Sequence, residues 1–346
     1  MEQQLPVYPK FTKEMKHTHK ILIPNMLPIH WTLLRDALED EGYDAEVLTT
    51  TGPEIAQEGL KYVHNDTCYP ALLVIGQFIN ALKSGKYDLD HTALLITQTG
   101  GGCRASNYIH LLRKALVKAG FPQVPVASLN FSGLEKDSGL PLTLPLLRKV
   151  IACIFYGDML CALRSQVKPY ENHAGDADAA TERWIATIQG WMRENRNFSA
   201  RDMKKQFPVI AAEFAAIPVT RVPKVKVGVV GEIYVKYSPI GNNDLEEFLF
   251  SQGCETMVPG VIGFMLFKVD NRMEDIKLYG GSHAKYKVVK IMFDYLTGIE
   301  KHVIHAVEHA NTISNRFTVP SAYMHLKKLI DGVIGYGCKM GEGWLL

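Results

Sequence analysis

Neither sign of charge dominates this sequence: 38 Lys and Arg stand against 36 Asp and Glu, a formal net charge of +2. That balance lacks the footprint of a polyanion binder, and no basic stripe interleaved with aromatics is present, so nucleic acid is not an expected partner. The first twenty residues are polar and lysine-rich, without the apolar run of a secretory leader. The longest apolar stretch, 140–163, is interrupted by Arg148, Lys149 and Asp158, which makes it a buried core helix and not a membrane span. Cysteine is scarce, with 6 in 346 residues, too few for a secreted disulfide framework. A cytoplasmic location is therefore expected, with thiols reduced, packed or bound to metal. The glycine spacing of a dinucleotide fingerprint is lacking, so there is no NAD or flavin signature. The phosphate loop G-x-x-x-x-G-K-[ST] is also lacking, so the chain itself is not expected to hydrolyse ATP.

What is present is the composition of an ordinary globular protein, 47% hydrophobic and 21% charged, long enough for two domains with their own cores. Residues 1–15 form an expected flexible arm. Short strands at 20–24, 44–48, 92–97 and 124–129 alternate with helix-period segments at 30–41, 53–63, 71–82 and 105–119. This alternation predicts a mostly parallel sheet with helices on both faces, spanning a first α/β lobe at 16–165. Helices over 179–214, with Trp184, Ile188 and Trp191 on one stripe, form a connector at 166–221. A second α/β lobe at 222–346 opens on the strand Val225–Gly231. Glu232, Lys236 and Ser238 follow it, where a strand end meets the crevice of such a sheet. They serve there as substrate contacts or as solvated surface groups.

The chemistry-bearing stretch is Gln98–Tyr108, which contains Gly100-Gly101-Gly102-Cys103 between a strand and a helix. Glycines turn the backbone sharply and leave its N–H groups uncovered. Cys103 then sits near a helix N-terminus, where the dipole favours the thiolate. Cys68, in Asn65-Asp66-Thr67-Cys68-Tyr69-Pro70, stands at a second predicted helix start, with Pro70 in its first turn. Two such cysteines in one α/β unit suggest an anionic object shared between them. Cys338 lies in a third Gly-flanked loop, Gly335–Gly343. Cys153 and Cys161 share a face of the long apolar helix and read as core; Cys254 reads as structural. His302, His305 and His309 share a face of a helix over 285–309, a pattern more common in a titrating surface or interface than in a metal site.

The segments HNDTCYPALLVIGQFINALKSGKYD, QTGGGCRASNYIHLLRKAL, VGVVGEIYVKYSPIGNNDLEEFL and GCKMGEGWLL resemble the 2-hydroxyacyl-CoA dehydratase superfamily, closest to its branch of large activase-related proteins. The resemblance runs from about Phe11 to Leu346. It implies two Rossmann-like parallel-sheet lobes with an iron–sulfur cluster in the cleft between them. It further implies a 4Fe–4S cluster, or an 8Fe–9S double-cubane in a related branch, held by Cys68, Cys103 and Cys338, with Gly101 and Gly102 at its border. The implied partner is a separate ATP-dependent iron–sulfur activase that donates a low-potential electron. The implied activity is that of a dehydratase-like lyase or iron–sulfur reductase component of an anaerobe, acting by radical chemistry on an acyl-CoA or other small molecule. A non-catalytic, cluster-carrying electron-transfer or activase-docking module is the alternative, and a homo- or hetero-oligomer is expected. The family pattern continues past Trp344 into a helix and a strand with a further cysteine, so the resemblance also implies a second lobe cut short.

Overall fold

The computed structural model describes residues 8–64, 66–98, 107–130, 140–141, 143–314 and 316–331. The chain is a mixed α/β protein with parallel sheets, dividing into two compact units. One comprises residues 1–147 with 237–243, and the other residues 148–236 with 244–346.

In the first unit the strands are β1 (Lys20–Ile23), β2 (Asp44–Val47), β3 (Thr92–Gln98) and β4 (Val126–Asn130). They form one parallel sheet in the order β2-β1-β3-β4. A parallel sheet is covered on both faces, so its strands read as continuous apolar runs. Ile21, Leu22 and Ile23 of β1 and Ala93, Leu94, Leu95 and Ile96 of β3 are accordingly buried without alternation. The helices are α1 (Pro28–Asp40), α2 (Pro53–Tyr62), α3 (Tyr69–Lys83) and α4 (Tyr108–Ala119), and α5 (Leu144–Val167) leaves the unit. Pro28, Pro53 and Pro70 each occupy a first helical turn, where the missing N–H costs nothing. Gly120, in the left-handed region at φ 89°, closes α4. Helices α2 and α3 meet backbone to backbone. A Cβ on Gly59 would lie 2.1 Å from the Leu72 carbonyl oxygen, and one on Gly76 2.0 Å from that of Ile55.

The second unit is mainly helical. It holds α6 (Asp176–Arg193), α7 (Ala200–Ala216), α8 (Ile233–Tyr237), α10 (Leu245–Ser251), α11 (Val261–Tyr279), α12 (His283–Ser314) and α13 (Tyr323–Asp331), while α9 (Pro239–Asn242) belongs to the first unit. Among the described residues its strands are β5 (Lys226–Gly228) and β6 (Glu255–Met257), paired in parallel. The run after β5, where the sequence placed the end of this strand, is instead α8. Gly231, at φ 137°, breaks the strand, and the exposed Glu232 accepts the Val235 N–H at 3.0 Å to start the helix. The 19-residue helix α11 had no counterpart in the sequence reading. Its apolar residues are spread around the axis, so no single stripe announces it. Its N-terminus is held by Asp158 of α5, whose carboxylate accepts the Val261 and Ile262 N–H groups at 2.9 and 2.8 Å. Among the described residues no helix is long and apolar enough to cross a membrane.

Candidate functional site at the carboxyl edge of the four-stranded sheet

In the order β2-β1-β3-β4 the chain leaves β1 toward one side and continues from β3 toward the other. The crevice outside the carboxyl ends of β1 and β3 is where such sheets hold ligands. Several polar side chains converge on this edge. Gln77, fully buried in α3, accepts the Asn25 N–H at 3.2 Å and donates to the Thr50 carbonyl at 2.9 Å. One amide thus ties the turn after β1 to the turn after β2. Ser238 is also fully buried and donates to the Asn25 carbonyl at 3.3 Å, while its Oγ accepts the Gly241 N–H and so caps α9. At the end of β3, Gln98 accepts the Ser128 hydroxyl at 2.8 Å.

Asn25 is the residue around which these bonds are arranged. Its N–H and C=O are both taken, yet its side-chain Oδ1 is buried and accepts no bond from the described residues. A buried amide oxygen without a donor costs about 1–3 kcal/mol and calls for an explanation. At the other end of the same wall, Cys68 is the N-cap of α3, with its Sγ 2.8 Å from the Tyr108 hydroxyl in the first turn of α4. Cys68 and Gln77 are nine residues apart on one helix, about 13 Å along its axis. The edge can therefore accept a donor at Asn25 and present a thiol and a phenol at its far end.

Of the residues singled out from sequence, Cys68 stands at this edge and Ser238 borders Asn25. Glu232 caps α8, and Lys236 is buried in that helix in the second unit. Gly101, Gly102, Cys103 and Cys338 lie outside the described residues. Sequence reasoning missed Asn25, Gln77 and Tyr108 as site residues. The available signal was positional: Asn25 directly follows the first strand of a parallel sheet, and Gln77 is a lone amide within the apolar run 71–79.

The expected iron–sulfur chemistry is corrected here. Among the described residues, no group of three or more His, Cys, Asp or Glu has the arrangement to hold a metal. The described cysteines are dispersed: Cys153 is buried in α5, and Cys254 follows the turn at Gly253 with its N–H on the Leu249 carbonyl. Burial pushes the Cys161 thiol far up, with Asp158 and Glu246 adding to the effect, so it is a packed thiol and not a thiolate ligand. The 4Fe–4S cluster and its 8Fe–9S double-cubane alternative thus have no ligand set among the described residues. The readings built on them lose their basis: the dehydratase-like lyase, the iron–sulfur reductase component and the cluster-carrying electron-transfer module. The three histidines of α12 form no such group either; His305 Nδ1 lies 3.0 Å from Glu308 Oε2.

Fold and site together define a parallel-sheet α/β protein with a polar carboxyl-edge site in its first unit. Comparison with protein-family models, curated proteins and solved structures gives no match.

Proposed function

We propose that this chain is a small-molecule-binding protein whose ligand lies along the carboxyl edge of the four-stranded sheet and donates a hydrogen bond to Asn25 Oδ1. The single observation that carries this reading is that buried, partnerless oxygen at the crevice between β1 and β3. The sheet order supports reading the first unit as a Rossmann-like lobe, and the parallel β5–β6 pair is consistent with a second, smaller one. The resemblance to the 2-hydroxyacyl-CoA dehydratase superfamily supports an acyl-CoA as the ligand class, in a cytoplasmic protein. The chemistry agrees: a pantetheine arm carries amide N–H donors suited to Asn25, and the Tyr108 hydroxyl is a donor suited to a thioester carbonyl. The activase expected as partner rested on the cluster and is not carried further.

Titration calorimetry with acetyl-CoA, free CoA and pantetheine tests the reading. Saturable binding is expected, weakened about 3- to 10-fold by Asn25→Ala, the loss of one hydrogen bond. The exposed Lys277→Ala variant serves as control and leaves affinity unchanged. Absence of heat and of thermal stabilisation with all three ligands at millimolar concentration would refute it, as would binding indifferent to Asn25→Ala.

A further inference from the structure

Helices α11 and α12 form a hairpin through the turn Gly280-Gly281-Ser282. Gly280, at φ 81°, ends α11, and the Ser282 Oγ accepts the Lys285 N–H at 3.4 Å to start α12. At its base the hairpin belongs to the second unit's core, where Met273, Phe293, Leu296 and Ile299 are buried. From residue 274 to residue 292 no residue is buried. The apolar pattern continues all the same. Val288 precedes Ile299 by eleven residues, about three turns, and so lies on the line of the core face, yet it is 67% exposed. Ile291 is 68% exposed, and beside the turn Leu278 and Tyr279 are 56% and 77% exposed. The core stripe thus runs out past the elements that cover it, and uncovered apolar side chains gathered at one end mark a contact surface.

Charge identifies what it contacts. The chain as a whole is balanced, but between Asp275 and Asp294 stand Lys277, Lys285, Lys287 and Lys290 and no carboxylate. Lys277 is held by Glu274 at 3.0 Å and Lys290 by Asp294 at 2.7 Å, both acids of the hairpin's base. Lys285 and Lys287, nearer the turn, form no ion pair with a described residue. The end of the hairpin therefore combines aliphatic and tyrosine side chains with unneutralised cations. This is the composition that anionic lipid surfaces hold: apolar groups enter the acyl boundary, tyrosine sits at headgroup depth, and lysines meet the phosphates. Val288 stands about 8 Å along α12 from its start, within the roughly 5–10 Å that such elements enter. A protein partner fits less well, because the apolar parts of four side chains fall short of the about 800 Å² that each member of a stable pair covers.

We propose that the α11–α12 turn docks the chain on anionic membrane surfaces. Leu278, Tyr279 and Val288 enter the headgroup layer, Ile291 lies at its boundary, and Lys285 and Lys287 meet its charge. Such contact requires no spanning helix.

The experiment is cosedimentation of the full chain with vesicles of phosphatidylcholine alone or containing about 30% phosphatidylserine. Binding is expected to the anionic vesicles only, and it weakens at about 0.5 M salt. Lys285→Glu/Lys287→Glu weakens it at least about tenfold. Lys204→Glu/Lys205→Glu, the same change of net charge at exposed positions of α7, weakens it far less. Tyr279→Ser and Val288→Ser each weaken it about 3- to 10-fold and leave the salt dependence in place. In Tyr279→Trp the added emission shifts to the blue with anionic vesicles and is quenched by brominated acyl chains. Far-UV circular dichroism compares each variant with the parent. Absence of binding to anionic vesicles overturns the proposal, as does equal loss in the two charge-reversed variants or an unshifted emission in Tyr279→Trp. Equally tight binding of soluble polyglutamate, indifferent to Tyr279→Ser, also overturns it and assigns the lysines to an acidic protein.

Discussion

Glu300 shows how one side chain joins two helices at a cost. Its carboxylate accepts the Tyr323 N–H at 2.8 Å, anchoring the start of α13 to α12. Burial raises its ionisation above the ordinary value of 4.5, outweighing the bond from Tyr323 and the nearby Lys301. A carboxyl raised in the folded state favours the protonated form, so the chain loses stability as pH climbs from below 4.5 through that raised value. Glu300→Gln keeps an acceptor for the Tyr323 N–H without the buried charge. The variant should therefore melt higher than the parent at pH 7 and equal to it near pH 3.5; calorimetric melting at the two pH values checks the sign. Single residues of this kind were illegible in the sequence. Glu300 is one of 36 acidic residues until its partner, 23 positions away, is placed beside it. Asn25 was hidden for the same reason, since the bonds that bury it come from Gln77 and Ser238, distant along the chain.

Elements were more legible where a period and a terminator coincide. Helix α3 was expected over 71–82 and spans Tyr69–Lys83, with Pro70 at its start and an apolar run that leaves little alternative. The strands of the first unit likewise fall within a residue or two of their expected positions; for β1 and β3 this is because a sheet buried on both faces selects unbroken apolar runs. What failed was α8 and α11. The first hides a glycine break inside a β-branched run; the second borrows its cap from Asp158, 103 residues earlier. The α2–α3 contact was also invisible, since Gly59 and Gly76 gain meaning only when their helices touch. Gly76→Ala places a methyl group 2.0 Å from a backbone carbonyl oxygen that has no rotamer with which to retreat. The helices must separate, at about 3 kcal/mol. Urea unfolding measures that loss, and because α3 carries both Gln77 and Cys68, ligand affinity at the carboxyl edge should fall with it.

Among the described residues, carboxylates held by cations outnumber those strained by burial, and this sets the pH response. Arg164 on α5 and Lys168 just past its end each bridge Asp178 and Glu247, at distances of 2.6 to 2.9 Å, a closed ring of four ions joining α5, α6 and α10. Burial works against both carboxylates, yet the bonds from the two cations prevail and leave them below their ordinary values. Glu46, Glu58 and Glu274 are lowered in the same way, against burial, by bonds from their lysine neighbours, helped at Glu46 by Tyr87. Groups lowered in the folded state contribute fully above their unfolded values and lose that contribution as pH falls through the folded ones. Denaturant midpoints should therefore hold steady down to about pH 5 and fall steeply below pH 4; a midpoint that rises between pH 4.5 and 3 would show that the raised groups dominate instead. The ladder of strands and helices in the first unit was legible from sequence, but its membership was not, because seven residues from far downstream, 237–243, belong to it. They bring Ser238 against Asn25, and α9 packs on α3. The polypeptide consequently passes between the two units three times, after residues 147, 236 and 243. Neither unit is a continuous cassette: an excised piece ending at 147 would have a bare patch on α3 and an unheld turn after β1. Any recombination or truncation that shuffles one unit must carry its distant seven-residue stitch.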